Sequence, residues 1–262
     1  MKLSVILCTK NEEKNIKRCL DAIMAQTRKP DEIILVDAYS TDRTVEIAKQ
    51  YPVKIFYDKR DLGTARDLGW KKAKGDIVVF TDVDAYPDKH WLEEIERAFS
   101  EHPEIGGVQG RSVIIGNEKL SERFHRRALK AKYFTFTHGA NMAFRRKVLE
   151  EVGGFDSNKN CGWEDMDIGY RVSRKYKILY VPTAIVYEVK KGEERTERTI
   201  KRNVKYWFLF AKKHRRYDLL IRPIFYAFYS VSQGKIREGM LQFVEFFKNL
   251  PMLLCGSKRD EG

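Results

Sequence analysis

The sequence predicts an α/β protein with a mostly parallel sheet flanked by helices, followed by a basic, helical C-terminal extension. Three observations lead to this expectation. Strand-like and helix-like patterns alternate through the first 80 residues, polar residues follow several of the strand-like runs, and the composition changes near residue 190. We therefore expect two parts, an α/β domain over residues 1–189 and an extension over residues 190–262.

The first half of the chain alternates four strand-like runs with three helical patterns. The strand-like runs cover residues 2–9, 31–38, 53–58 and 76–80, and the helical patterns cover residues 11–27, 40–51 and 63–74. In the first helical pattern Ile16, Leu20 and Ile23 share a face, and Asn11 is the expected N-cap. Such alternation implies parallel strands with helices on both faces of the sheet, and ligands bind at the carboxyl ends of such strands.

The second half is less regular. It contains a helical pattern at Trp91–Ser100, a strand over 106–115, a basic amphipathic helix over 117–134, a strand and helix within 139–155, a helix within 161–176, and a strand pair over 177–189 broken at Pro182. After residue 190 a charged helix is expected up to Arg216. Two apolar, aromatic-rich stretches follow, over 219–231 and 240–254.

The composition limits the possible classes. Of 262 residues, 43% are hydrophobic, which is enough for a sizeable core, and the net charge is +13. This charge favours an anionic partner. The cysteines, Cys8, Cys19, Cys161 and Cys255, are far apart and are expected to be reduced. The N-terminal apolar run is too short for a signal peptide, so we expect a cytoplasmic protein.

Two aspartates, Asp82 and Asp84, end the strand-like run Ile77–Phe80. In a strand, residues i and i+2 point the same way, so the two carboxylates are expected to converge. They would repel each other unless a cation lay between them. Hard oxygen donors of this kind suit Mg²⁺ or Mn²⁺. A solvated acidic turn is the alternative interpretation, and the spacing alone favours it.

The motifs around these aspartates change that weighting. Residues 3–189 resemble the family 2 inverting glycosyltransferases of the GT-A fold, a Rossmann-like arrangement. The resemblance rests on motifs in the family's order: "SVILCTKNEEKNIKRCLDAIMAQT", "DEIILVDAYSTDRTVEIAK", "GTARDLGWKKAKGDIVVFTDVD", "GANMAFRRKVLEEVGGFD" and "GWEDMDIGYRV". It implies a catalytic domain over residues 1–189 that transfers a sugar from a UDP- or GDP-linked donor to a glycan or lipid-linked acceptor.

The resemblance also implies roles on the donor side. Thr9, Asn11 and Glu12 would line the nucleotide pocket, Asp37 would accept a hydrogen bond from the base, and Arg66 would lie near the nucleotide. The family pattern around Arg66 ends in Asn, whereas this chain has Asp67, so the polar contact at that position is open. The pair formed by Asp82 and Asp84 would hold Mn²⁺ or Mg²⁺ on the donor diphosphate.

On the acceptor side, Asp165 matches the family's catalytic base, with Glu164 beside it. Inversion requires one general base for the attacking hydroxyl and a Lewis acid for the leaving diphosphate, which agrees with these assignments. The alternative is that the two acids only complement a helix dipole. Which of Glu164, Asp165 and Asp167 faces the cleft stays open, because Asp165 and Asp167 cannot share a helix face.

Further residues have two interpretations each. Gly139 and Asn141 lie in a loop that resembles the family's sugar-contacting loop, or they form a tight turn. Trp163 would stack on an acceptor ring, or it packs. Glu188 stands where many family members have His, which leaves a third metal contact open, and His138 is equally a plain loop residue.

The basic segments also have two interpretations. The basic helix at Lys119–Lys132 and the segment Lys190–Arg216 are either solvated helix faces or a dock for a lipid-linked phosphate or an anionic membrane. The stretches over 219–231 and 240–254 are either interfacial helices or helices that pack on the catalytic domain. Their neighbouring positive charge favours peripheral attachment to the cytoplasmic membrane face.

Two other function classes were weighed. A sugar nucleotidyltransferase would also pair acids on an α/β sheet, but it normally has a Gly-rich phosphate loop, and Val5–Glu13 contain no glycine. A nucleic-acid binder would explain the charge, but the sequence has no zinc pattern and no recognisable RNA-binding aromatic signature. We therefore expect no nucleic-acid partner.

Overall fold

The computed structural model describes residues 1–189 and 196–253. These residues form two compact units, one of residues 1–156 with 164–189 and the other of residues 157–163 with 196–253. The predicted start of the extension at Lys190, the end of the last apolar stretch at Leu254, and Cys255 lie outside the described residues. Cys8, Cys19 and Cys161 are not part of disulfide bonds.

The first unit is built on one sheet of eight strands. These are β1 Leu3–Thr9, β2 Glu32–Asp37, β3 Val53–Tyr57, β4 Ile77–Asp82, β5 Ala85–Pro87, β6 Ile105–Ile114, β7 Met142–Arg145 and β8 Lys177–Glu188. Their order across the sheet is β3-β2-β1-β4-β7-β6-β8-β5. The first four neighbours are parallel, β7 runs antiparallel to β4 and β6, and β6 is parallel to β8. The predicted α/β class with a mostly parallel sheet and a helical C-terminal region is confirmed.

Helices cover both faces of this sheet and make up most of the second unit. They are α1 Ile16–Met24, α2 Thr44–Ala48, α3 Leu62–Lys72, α4 Trp91–Glu101, α5 Glu118–Ala131, α6 Arg146–Val152, α7 Asn158–Cys161, α8 Glu164–Ser173, α9 Glu197–His214, α10 Ile221–Ser232 and α11 Ile236–Asn249. Within residues 1–189 and 196–253, no helix combines the length and apolarity needed to cross a bilayer.

The core lies on both faces of the central strands. Leu3, Val5 and Leu7 of β1 join one buried cluster with the apolar face of α1, while Ile6 joins the opposite cluster. All four side chains are essentially inaccessible. Because parallel strands are covered by helices on both sides, consecutive positions are apolar, and this explains why the strand-like runs lack an alternating pattern.

Two predicted elements differ in the structure. The first helix begins at Ile16 rather than Asn11. Asn11 instead has φ of 55°, in the left-handed region that asparagine tolerates, and its side-chain oxygen accepts a hydrogen bond from Thr41 N at 2.8 Å. The expected strand pair over 177–189 is one strand, β8. Its register with β6 shifts between Val181 and Ile185, which accommodates Pro182 as an irregularity.

Asp67 fixes α3 to the loop that follows α6. One of its carboxylate oxygens accepts hydrogen bonds from Trp70 Nε1 at 2.8 Å and from Phe155 N at 3.1 Å, and the other pairs with Lys71 at 2.6 Å. This orientation is also the reason why residue 154 is glycine, since a Cβ there would lie 2.5 Å from the Asp67 carboxylate. Asp67, which departs from the family pattern, therefore anchors the helix that carries Arg66.

We predict that Asp67→Ala lowers the free energy of unfolding by about 1–3 kcal/mol, because it leaves the Phe155 amide and the Trp70 indole without their acceptor. Lys71→Ala is the matched control. It removes only the exposed end of the same network and should cost at most about 0.5 kcal/mol. Urea unfolding measures both. Equal losses in the two variants would contradict the anchoring role.

Candidate active site

A cleft of about 450 Å³ opens at the carboxyl ends of the parallel strands in the first unit. It is lined by Cys8, Thr9, Lys10, Glu12, Val36, Ala38, Asp58, Lys59, Arg60, Asp61, Leu62, Ala65, Asp82, Val83 and Asp84. These residues lie at the ends of β1, β2 and β4, in the segments that follow β1, β2, β3 and β4, or in the first turn of α3. The site therefore lies where an open α/β sheet is expected to bind a ligand, and its volume is in the range of small-molecule sites.

Arg66 on α3 is the buried cation beside this cleft. Its guanidinium donates to Asp82 Oδ1 at 2.8 Å and, through the other terminal nitrogen, to Glu164 Oε1 at the start of α8. Burial lowers the pKa of Arg66, but the carboxylates of Glu164 and Asp82 more than offset it, so the pKa lies above its ordinary value. The guanidinium thus stays charged and connects two acids from different parts of the chain.

Two glycines allow this close approach. A Cβ at Gly139 would lie 2.2 Å from a terminal nitrogen of Arg66, and a Cβ at Gly63 would lie 2.1 Å from the Asp156 carbonyl oxygen and 3.1 Å from the Glu164 Cβ. Gly139 also donates its backbone N–H to Asp165 Oδ2 at 3.0 Å. The turn around Gly139 therefore contacts both Arg66 and the neighbouring acid, Asp165.

The carboxylates of Asp82 and Asp84 both line the cleft, but not for the reason expected from the sequence. β4 ends at Asp82, and Asp84 lies in the turn before β5, so the alternation of side chains along a strand does not apply to this pair. Partial loss of solvent and the negative charges of Asp82, Glu12 and Glu188 raise the pKa of Asp84 to about 6. A cation would relieve this repulsion.

The donor set fits Mg²⁺ or Mn²⁺ if a ligand supplies the remaining oxygens, because two carboxylates with phosphate oxygens and water are a usual environment for these ions. Within the described parts of the chain, no three His, Cys, Asp or Glu side chains are grouped closely enough to hold a metal ion. Asp82 also pairs with Arg66, so a bound cation would share that carboxylate with the guanidinium.

The three acids at the start of α8 have different environments. Glu164 is buried against Arg66, and burial raises its pKa while Arg66 opposes the rise. Asp167 is fully buried and pairs with Arg171 at 2.6 Å. Asp165 is partly exposed, and its carboxylate accepts hydrogen bonds from the backbone N–H groups of Gly139 and Met166. Asp165 thus differs from the other two acids, because backbone N–H groups hold its carboxylate and the residue is partly exposed.

The predicted nucleotide residues are close together, although they differ in their contacts. Thr9 and Glu12 line the cleft, and the buried Thr9 hydroxyl has no hydrogen-bond partner among residues 1–189 and 196–253. Asn11 bridges to the loop after β2 through Thr41. Asp37 is fully buried and accepts hydrogen bonds from Ser40, while its neighbours Val36 and Ala38 line the cleft. Its contact with a base stays a prediction.

The predicted sugar-contacting residues have structural contacts of their own. The Asn141 amide is fully buried, accepts a hydrogen bond from Trp91 Nε1 at 2.9 Å, and donates to the carbonyls of Arg111 and Ala184. These contacts favour a structural role for its side chain. Trp163 belongs to the second unit, where its ring meets Trp207 edge-on at 4.7 Å. Its packing interpretation therefore has direct support.

Glu188 and His138 form a contact that the sequence did not suggest. His138 Nδ1 lies 3.7 Å from Glu188 Oε1, and Glu188 is paired in register with Ala85, the residue after Asp84. Glu188 also contributes to the raised pKa of Asp84. It therefore belongs to the acidic surroundings of Asp84.

The sequence analysis did not predict that the segment after β3 lines the cleft. Asp58, Lys59 and Arg60 line the cleft, and the nearly buried Asp58 carboxylate accepts a hydrogen bond from Arg60 Nε at 3.0 Å. Lys10, after β1, also lines the cleft. Their position directly after predicted parallel strands could have identified them as cleft residues, because β1, β2, β3 and β4 all end at the same edge of the sheet.

Comparison with known sequences gives the family. A family model described as Glycosyl transferase family 2 matches residues 4–153, more than half of the chain. An uncharacterized glycosyltransferase of Nostoc sp. is 28% identical over 206 residues, which cover 71% of this chain and 64% of the relative.

A second curated relative carries a more detailed name. It is the dolichyl N-acetyl-alpha-D-glucosaminyl phosphate 3-beta-D-2,3-diacetamido-2,3-dideoxy-beta-D-glucuronosyltransferase of Methanococcus voltae, and it is 32% identical over 170 residues. The match covers 60% of this chain and 50% of that relative. The chain thus spans between half and two thirds of the length of these two relatives.

Solved structures have the same fold. The mannosyltransferase PcManGT from Pyrobaculum calidifontis, in complex with GDP-Man and Mn²⁺, matches with a TM-score of 0.68 and 22% identity over 98% of this chain and 76% of that one. Staphylococcus aureus TarS in complex with UDP-GlcNAc matches with a TM-score of 0.65 and 21% identity, over 80% and 66% of the two chains. At these identities the likeness is one of fold.

We predict that Asp84→Asn stabilises the metal-free protein at pH 8 by about 0.5–1 kcal/mol. This value is smaller than the pKa shift alone would give, because solvent screens the repulsion at this site. The folded-state pKa of about 6 lies above the ordinary value of 3.8, so the folded protein holds the proton more tightly. The free energy of unfolding of the wild type therefore falls as pH rises from about 4 to 6. Below pH 4 the wild type and Asp84→Asn should be equally stable.

Thermal unfolding in EDTA at several pH values measures this difference. A variant that is less stable than the wild type at pH 8 would show that the Asp84 carboxylate is favourably paired, contrary to the repulsion described above.

Proposed function

Because the chain belongs to glycosyl transferase family 2, we propose that it transfers a sugar, with inversion, from a nucleoside-diphosphate sugar to an acceptor hydroxyl. The observation that carries the proposal is the network around Arg66. It joins Asp82, at the mouth of the donor cleft, to Glu164, the residue directly before the partly exposed Asp165.

The cleft offers suitable partners for a nucleoside diphosphate. Lys10, Lys59 and Arg60 line the cleft and supply positive charge, and Asp82 and Asp84 line it and supply metal-binding oxygens. The unpaired Thr9 hydroxyl, described above, is a further group that a bound ligand or water could satisfy. When bound between Asp82 and Asp84, Mn²⁺ or Mg²⁺ would supply a Lewis acid that stabilises the leaving diphosphate.

Asp165 is the proposed general base. As the acceptor oxygen forms its bond to the anomeric carbon and the bond from that carbon to the diphosphate breaks, Asp165 would take the hydroxyl proton. Its carboxylate is oriented by two backbone N–H groups, which fixes its position, and among residues 1–189 and 196–253 no cationic side chain lies at hydrogen-bond distance from it. Glu164 and Asp167 suit the role less well, because each is buried in an ion pair with an arginine.

Arg66 is the proposed positioning residue between the two halves of the site. Its single positive charge offsets part of the negative charge of Asp82 and Glu164, and it also interacts with the charge of Asp165. In this way one guanidinium orients the acid that faces the donor and the helix start that carries the base. Such shared orientation keeps reacting groups in place, which is a major source of rate enhancement.

The donor and acceptor classes follow from the resemblance and from the relatives. Solved structures of the same fold hold GDP-Man with Mn²⁺ or UDP-GlcNAc, so we propose a GDP- or UDP-linked sugar as donor. One relative is named for a dolichyl-linked phosphate sugar and others for poly(ribitol-phosphate), so we propose a lipid-linked or glycan acceptor.

We predict that one nucleoside diphosphate stabilises the protein in the presence of Mn²⁺. At a hundredfold excess over Kd the gain is about 2.7 kcal/mol, which is several degrees in Tm for a chain of this size. Asp84→Ala should abolish the metal-dependent part of the shift and keep the metal-independent part. A thermal-shift panel of nucleoside diphosphates with and without Mn²⁺ measures this, and a panel with no shift at all would argue against the transferase.

We predict that Asp165→Asn keeps donor binding and reduces kcat by about 10²–10⁴-fold, because the amide cannot accept the hydroxyl proton. Calorimetric titration of the donor and a transfer assay measure the two effects separately. Glu101→Gln, an exposed acid at the end of α4, is the control and should leave both unchanged. Loss of donor binding in Asp165→Asn would contradict its assignment as the base.

A further inference from the structure

The helices α10 and α11 of the second unit expose large apolar side chains along one side of each helix. Ile221, Phe225 and Phe228 of α10 follow one another at intervals of four and three residues, so they lie on one face. Ile236, Met240 and Phe247 of α11 share a face in the same way. Each of these six side chains is 59–69% exposed, and together we call them the apolar face.

The opposite sides of the two helices are packed together. Gly239 of α11 lies against α10, where a Cβ would come within 2.4 Å of a Val231 methyl group and 2.7 Å of the Ala227 carbonyl oxygen. Ala227, Ser230 and Gln242 are buried nearby. The hairpin thus has a defined inner side, and the exposure of the apolar face is not a result of loose packing.

The apolar side chains of α10 and those of α11 form one surface. The ring of Phe228 contacts the ring of Phe243 edge-on, with centroids 5.0 Å apart. Phe243 lies one turn from both Met240 and Phe247 on α11, while Phe228 lies one turn from Phe225 on α10. The apolar face is therefore continuous across the hairpin, and a continuous exposed patch of this kind marks an interaction site in a folded protein.

Positive charge surrounds this face. Arg222, Arg237 and Lys248 lie on the same two helices, Lys235 directly precedes α11, and all four are exposed. Over residues 196–253 there are twelve Lys and Arg against four Asp and Glu, and two of those acids, Glu238 and Glu245, pair with Lys235 and Lys248. Long basic side chains beside aromatic and aliphatic ones are typical of helices that lie in a membrane interface.

We propose that the apolar face is a docking surface for an anionic phospholipid bilayer. Its charge is complementary to anionic headgroups, which attract Lys and Arg near the surface, while the apolar side chains can enter the acyl boundary. A second copy of this chain fits less well, because a symmetric interface would bring two strongly basic surfaces together. The surface lies wholly in the second unit, so this proposal can be tested independently of the transferase activity.

Vesicle flotation of the full chain, without donor or acceptor, tests the proposal. The wild-type protein should float with vesicles of phosphatidylcholine mixed with phosphatidylglycerol at low salt, float much less at high salt, and bind pure phosphatidylcholine weakly. Phe225→Ser with Met240→Ser should weaken partitioning into anionic vesicles by about tenfold or more, since two apolar groups no longer insert. Lys235→Glu with Arg237→Glu should weaken it similarly at low salt.

The control for these variants is Phe124→Ser on α5, because Phe124 is a similarly exposed aromatic residue on the basic helix of the first unit. It should keep full binding. Circular dichroism and Tm establish that each variant is folded.

Three results would overturn the proposal: a wild-type chain that does not bind anionic vesicles, loss of binding in Phe124→Ser while Phe225→Ser with Met240→Ser still binds, or a wild-type dimer that Phe225→Ser with Met240→Ser converts to a monomer without any vesicle binding. The last result would assign the apolar face to a second copy of the chain.

Discussion

The buried guanidinium of Arg66 is the interaction on which the candidate site depends. It forms ion pairs with Asp82 at the end of β4 and with Glu164 at the start of α8. Without this cation, placing either carboxylate here would cost free energy. The surrounding fold is arranged to permit this contact, since residues 63 and 139 must be glycine for α3 and the nearby turn to approach. Loss of the cation would leave Glu164 as a buried, uncompensated charge.

The sheet explains why these groups meet. Parallel strands end at one edge, so the residues after β1, β2, β3 and β4 converge although they are separated by dozens of positions. Helix α8, which carries Asp165, reaches the same region from a later part of the chain, with Arg66 as the connection. The cleft and the proposed general base thus come from different parts of the first unit, and Asp67 holds α3 in place through contacts with Trp70 and Phe155.

The second unit is organised by a different constraint. Helix α9 packs on the hairpin of α10 and α11, as the contact of Phe208 with Phe246 shows, and the outer side of the hairpin is apolar and exposed. A soluble helix normally has polar residues on its outer side. In the α10–α11 hairpin this departure coincides with an excess of positive charge, which is why a charged, apolar interface suits it better than water does.

The sequence by itself determined the α/β class, the run of parallel strands, the position of Asp82 at a strand end and the family, because apolar runs, helix periodicity and short motifs depend on residues close along the chain. Only the tertiary structure decided the contacts. It placed Asp84 in a turn, gave Asn11 a left-handed conformation, buried the Asn141 amide, and joined Arg66 to Glu164 across 98 positions. Such pairings arise when separate elements pack together, and local patterns contain no information on which distant side chain will be the partner.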